Sequence, residues 1–147
     1  MQSMKMEKDV AQPNLSRMIS VLQISIGIVY MWFGLLKFFP NVSPAEGLAI
    51  DTIHGLTLGM LTKQTSLFLL ASWEVGVGLL LVLRKFYSVV FWLVIVHMAC
   101  TFTPLVLLPE VSFTSVPYGL TLVGQYIIKN MIIVSALLVI REFSKKN

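Results

Sequence analysis

Seven side chains that can donate, accept or carry charge stand inside or at the ends of apolar stretches: Tyr30, Lys37, Glu74, His97, Thr101, Gln125 and Lys129. A formal charge deep in a membrane-crossing segment costs about 2.5–3.5 kcal/mol on the lenient insertion scale, so such a group faces a partner or a watery cavity. Glu74 and Lys129 are the sharpest pair. Brought together with His97, they suit a ligand that has an apolar body and polar head oxygens. His97 and Lys129 could donate hydrogen bonds to it while Glu74 takes a proton. The same residues could instead form an ion-pair network that holds helices in register.

Other chemistries find no support. No nucleophile triad, phosphate-cradling glycine loop or metal motif is present. Cys100 is the sole cysteine, which allows no internal disulfide and no thiolate cluster. In an apolar segment it reads as a small packing residue. His54 and His97 are the only imidazoles and lie far apart in sequence, so no metal site is expected.

The elements that must position these groups are membrane spans. The chain has 147 residues, 56% hydrophobic and 12% charged, with mean hydropathy +0.84. Soluble domains carry about 25% charged residues. At about 20 residues per span, the length suits one all-α bundle of four transmembrane helices. The spans are expected at about Met18–Phe39, Ser66–Leu83, Phe86–Leu108 and Leu120–Ile140, forming a single domain over 17–141 with polar tails at 1–16 and 142–147. The run after Arg17 is too long for a signal-peptide core and lacks a small-residue cleavage pattern.

Charge placement orients the bundle. Lys5, Lys8, Arg17, Arg84, Lys85, Arg141, Lys145 and Lys146 flank spans, whereas the other two loops hold Glu46, Asp51 and Glu110 against Lys63. By the positive-inside rule, both termini and the Arg84–Lys85 turn are cytosolic. The pI near 9.4 therefore reflects anchoring beside the lipid bilayer. No basic stripe interleaved with aromatics points to nucleic acid.

Within the first span, Gln23, Gly27, Tyr30, Gly34 and Lys37 recur at steps of four and three, placing small and polar groups on one helical face. Arg17 and Lys37 are about 30 Å apart by helical rise, so Lys37 could also snorkel to the interface. In the second span Ala71, Glu74 and Gly78 share a face, with Glu74 about 12 Å below the outer end. Gln125 and Lys129 are one turn apart at a comparable depth in the fourth. In the third, His97 and Thr101 are one turn apart, and Pro104 predicts a kink that leaves a carbonyl near Cys100 in need of another partner.

The loop after the first span carries Ser43-Pro44-Ala45-Glu46, a capping-box pattern with Ser43 as N-cap and Glu46 reaching back. It predicts an interfacial or partly re-entrant helix from Pro44 to about Met60. Leu48, Ile53 and Leu56 would face the membrane or the bundle, and the helix could lid the bundle's outer end. Gly55 and Gly59 fit the small-xxx-small packing spacing. Pro109 to Gly119 reads as an irregular loop.

Five segments resemble the DoxX/DoxD-like family of small bacterial membrane proteins. They are Tyr30-Met-Trp-Phe-Gly-Leu-Leu-Lys37, Ser43-Pro-Ala-Glu-Gly-Leu-Ala49, Trp73-Glu-Val-Gly-Val-Gly78, His97-Met-Ala-Cys-Thr101 and Gly124-Gln-Tyr-Ile-Ile-Lys-Asn130. The Glu-Gly-Leu stretch is also similar to the YkgB-like inner-membrane proteins. The resemblance runs from about Arg17 to Arg141. It implies a four-helix fold in the bacterial cytoplasmic membrane, and Lys37 and Glu74 match the family's recurring polar positions. Some relatives are linked with thiosulfate:quinone oxidoreductase activity or with redox complexes. A quinone-like ligand, a redox partner subunit and a homo-oligomer follow as expectations. The residues themselves also leave open a non-enzymatic assembly or structural subunit and a small transporter.

Overall fold

The computed structural model describes residues 2–146, with side chains over 14–145. Four helical segments are long and apolar enough to cross a membrane: Asn14–Leu36, Lys63–Val82, Tyr87–Leu107 and Leu122–Lys145. The protein is an all-α, four-span membrane bundle. The first span belongs to α1 (Gln2–Leu36), so residues 2–16 of the expected polar tail continue as helix, and the last helix likewise runs on to Lys146 within the expected C-terminal tail. A short helix, α2 (Glu46–Leu56), precedes α3 (Lys63–Val82), and α4 (Tyr87–Phe102) follows after a tight turn. Arg84 and Phe86 both take left-handed backbone conformations in that turn, which costs about 1–2 kcal/mol per non-glycine residue. Reversing direction between two spans in so few residues demands it.

α1 and α3 run antiparallel in close contact. The predicted polar stripe of α1 is buried along its whole length, from Gln23 through Gly27, Tyr30 and Gly34 to Lys37. So is the Ala71, Glu74, Gly78 face of α3. A Cβ on Gly27 would lie 2.8 Å from the Gly78 carbonyl oxygen, and one on Gly78 would lie 2.7 Å from the Gly27 oxygen. The backbones meet because neither position carries a side chain. Gln23 Nε2 closes the lower end by donating to the Leu81 carbonyl at 3.2 Å.

The third span breaks at Thr103, and Pro104 starts a short α5 (Pro104–Leu107). The expected orphan carbonyl at Cys100 is satisfied twice, by the Thr103 amide at 3.1 Å and by the Thr103 hydroxyl at 2.7 Å. The following loop is more ordered than the expected irregular one. It holds α6 (Pro109–Ser112) and an antiparallel pair, β1 (Phe113–Ser115) and β2 (Gly119–Leu120). The fourth span is two helices, α7 (Leu122–Lys129) and α8 (Met131–Lys146), separated at Asn130. Thr62 and Thr121 cap α3 and α7 by accepting the amides of Thr65 and Gly124.

The capping box does not form as expected. Helix α2 begins at Glu46 with Ala45 as its N-cap, and the Glu46 carboxylate accepts the Asn41 amide at 2.8 Å. Ser43 Oγ is buried without a hydrogen-bond partner. Once Glu46 is turned back to the loop, Ser43 has no helical amide to accept. Nor do Gly55 and Gly59 form a packing motif. The helix ends at Leu56, and Gly59 lies outside it at φ +77°, where its amide donates to the His54 carbonyl at 2.9 Å.

Ile19 and Ile26 of α1, Val77 and Leu81 of α3, Val90, Phe91 and Val94 of α4, and Leu137 and Ile140 of α8 form the apolar core. These positions fill the half of the bundle nearer the Arg84–Lys85 turn, leaving the other half to polar groups. Replacing Gly78 by Leu should cost about 1–3 kcal/mol through overpacking, read as reduced stability in mixed-micelle unfolding. Gly76→Ala, where an added Cβ meets nothing within 4 Å, should leave stability unchanged or raised.

Candidate functional site

Lys37 follows immediately on the end of α1, its amide held by the Gly34 carbonyl at 3.1 Å. Its side chain turns into the bundle instead of snorkelling outward. Nζ donates to Glu74 Oε2 at 2.6 Å and to the Phe33 carbonyl at 3.3 Å. Both partners of the ion pair are buried, with side chains 6% and 9% exposed. Gly34 makes room for the carboxylate's stem, since a Cβ there would lie 2.9 Å from Glu74 Cβ.

His97 continues the chain from α4. Its Nε2 lies 3.5 Å from Glu74 Oε1, and its Nδ1 lies 3.1 Å from Tyr30 Oη. The two rings meet edge to face, with centroids 5.5 Å apart. An imidazole carrying its hydrogen on Nε2 points that hydrogen at Glu74 and accepts from the Tyr30 hydroxyl. Lys37, Glu74, His97 and Tyr30 thus form one line of polar contacts drawn from three helices. Thr101 Oγ1 donates to the His97 carbonyl at 2.9 Å, which ties its hydroxyl to the same turn.

Gln125 and Lys129 are not in this cluster. Both are exposed, and the Lys129 ammonium lies 5.5 Å from the centroid of the Tyr126 ring. The buried face of α7 carries Gly124 and Ile127. Lys129 follows Ile127 by two residues, about 200° around a helix, and so points away. Gly124 fixes that rotation, because its Cα abuts the Ser112 carbonyl with no space for a side chain. The partner of Glu74 is therefore Lys37, from the first span rather than the fourth.

Two adjoining cavities border the cluster. One of about 140 Å³ is walled by Lys37, Glu74, His97 and Thr101, with α2 supplying Leu48 and Thr52 among others. The second, about 310 Å³, is lined mainly by apolar groups, including Leu69, Leu70, Trp73 and Val96. Ile53, Leu56, Leu70, His97 and Cys100 belong to both walls. The α2 helix therefore covers the chamber, with Leu48, Ile53 and Leu56 turned to the bundle. On the α1–α8 side, a further cavity of about 160 Å³ reaches the same cluster, with Tyr30, Phe33, Asn130 and Ile133 in its wall.

Sequence reasoning did not find Cys100, Thr52 and Asn130 as wall residues. Cys100 shares the helical turn of His97 and Thr101, which is the signal that could have placed it. Asn130 stands at the break in the fourth span, and no pattern in that apolar run marks a break. Comparison with protein-family models, curated proteins and solved structures finds no match to the chain.

Removing one partner of a buried ion pair leaves an uncompensated charge and costs about 3–5 kcal/mol. Glu74→Gln and Lys37→Met should each lose stability on that scale in mixed-micelle unfolding, while Lys37→Met/Glu74→Leu recovers most of it. Lys129→Met should stay within about 0.5 kcal/mol, as surface substitutions do. A loss at Lys129 equal to that at Lys37 would overturn the pairing.

Proposed function

We propose that the protein is a DoxX-like integral membrane protein of the bacterial cytoplasmic membrane, with both termini cytosolic, that binds a quinone-like lipophile as the membrane subunit of a redox system. One observation carries the reading. A small cavity walled by Lys37, Glu74, His97 and Thr101 adjoins a larger apolar one, with His97 and Cys100 in the lining of both. That division suits a ligand with an apolar body and a polar head. The basic flanks of the termini and of the Arg84–Lys85 turn support the orientation.

In this reading, a bound quinone supplies a two-electron, two-proton couple, and a partner subunit supplies or removes the electrons. The chain's own groups bind and orient. Lys37 offers its remaining ammonium hydrogen to a head-group oxygen, His97 flanks that oxygen while holding Glu74 in place, and Glu74 is the nearby acid or base. Leu69, Trp73 and Val96 hold the ligand's apolar part and exclude water from it. The α2 helix closes the chamber above.

One observation favours a second reading as an assembly subunit without chemistry of its own. Lys37 already pairs with Glu74, and His97 with Tyr30, as contacts that fix helix register would.

Cys100, which borders both chambers, reports the difference. Saturating decylubiquinone should slow its reaction with N-ethylmaleimide in the reconstituted protein. His97→Leu should weaken that protection at least about tenfold, equivalent to about 1.4 kcal/mol. Unchanged labelling at saturation would remove the ligand reading and leave the assembly one.

A further inference from the structure

Lys37 also borders a cavity of a different character. This recess, about 330 Å³, lies between the chain just after α1, the first turns of α2 and the first turns of α3. Glu46, Lys63 and Gln64 contribute to its wall, together with Phe38, Ile50 and Leu67. Among the described residues neither Glu46 nor Lys63 makes an ion pair. One Glu46 oxygen accepts the Asn41 amide. Charged groups without a protein counter-ion at the rim of a membrane protein are stable only where water solvates them. Water is the solvent such charges require, and Lys37, whose ammonium holds the buried carboxylate at 2.6 Å, belongs to the lining of the same recess.

We propose that this recess is an aqueous vestibule that puts the Lys37–Glu74 pair in contact with solution on the Lys63 side of the membrane. The polar cluster then has two different neighbours: water by way of Lys37, and an apolar chamber by way of His97. The charged and titratable groups around the pair are Tyr30 of α1, His97 of α4, and, across the vestibule, Glu46 of α2 and Lys63 of α3. A proton reaches Glu74 when the Lys37 ammonium passes one hydrogen to the carboxylate and regains one from a hydronium ion in the vestibule. The carboxylate becomes a carboxylic acid, the lysine ends as it began, and one water molecule is left. The vestibule itself is independent of the ligand proposed above, whereas its use as a proton supply for that ligand rests on that reading.

Single cysteines in a Cys100→Ser background test the proposal, using the full chain reconstituted in liposomes. The probe is a membrane-impermeant trimethylammonium methanethiosulfonate added to the Lys63 side. Leu67→Cys and Gln64→Cys keep the ion pair intact and should react an order of magnitude faster than Ile132→Cys, a position 71% exposed on the outside of the bundle. Lys37→Cys should react from the same side only. Prior modification of Leu67→Cys in the double variant should slow it several-fold, read on the separate peptides by mass. Leu67→Cys reacting no faster than Ile132→Cys would overturn the vestibule. A reactive Leu67→Cys beside an inert, folded Lys37→Cys would overturn its connection to the buried pair. Should Lys37→Cys fail to fold, a lysine-selective, membrane-impermeant acylating reagent applied to the Leu67→Cys protein replaces that arm. Lys37 acylated from the Lys63 side and protected by the cysteine block upholds the connection; Lys37 left unmodified, or acylated regardless of the block, refutes it. None of these outcomes depends on quinone, so they separate from failure of Cys100 protection.

Discussion

A buried ammonium and a buried carboxylate cannot be separated at acceptable cost, and much of this bundle is arranged so that they are not. The Lys37–Glu74 contact at 2.6 Å ties the end of the first span to the middle of the second. It requires close approach of the two helices, which the glycines at 27, 34 and 78 permit. It also requires that further lone pairs of the carboxylate be answered, which draws in His97 and through it Tyr30. The apolar core then occupies the remaining half of the bundle, where the side chains of Leu81, Val90, Val94 and Leu137 pack together.

Helix α2 follows from the same constraint. A polar cluster facing open lipid would be costly, and Leu48, Ile53 and Leu56 cover it on one side. Their packing leaves chambers instead of a filled core. The break of the third span before Pro104 contributes as well, because it bends the chain beside the chamber while Thr103 quiets the exposed Cys100 carbonyl.

Much of this was legible in the sequence, for reasons that can be named. The stripe from Gln23 to Lys37 follows helical periodicity, and small and polar residues on one face of a span contrast sharply with leucines and isoleucines elsewhere. The same contrast exposes the Glu74 face, and proline chemistry foretells the need at Cys100. The fourth span gave no such contrast. Gln125 and Lys129 share a face with each other, but both sides of α7 are otherwise apolar, so periodicity alone does not say which side turns inward. The close approach of Gly124 to Ser112 decides it, and that contact exists only once the α6 turn and the short hairpin have formed. Pairing by equal depth therefore chose the wrong lysine. Capping-box spacing failed similarly, because Glu46 found a nearer donor in the Asn41 amide.

Lys129, left outside, has a consequence for the surrounding lipid. Its ammonium lies beside Tyr126, one turn nearer the start of α7, while Arg141, farther along the same span, stacks on Phe91 and Trp92 at 4.3 and 5.0 Å. Twelve residues separate the two, about 18 Å of helix, against a hydrocarbon layer of about 30 Å. A lysine stem at Lys129 reaches along the helix toward the interface, and a lipid headgroup that meets its ammonium sits deeper there than beside a span with no such cation.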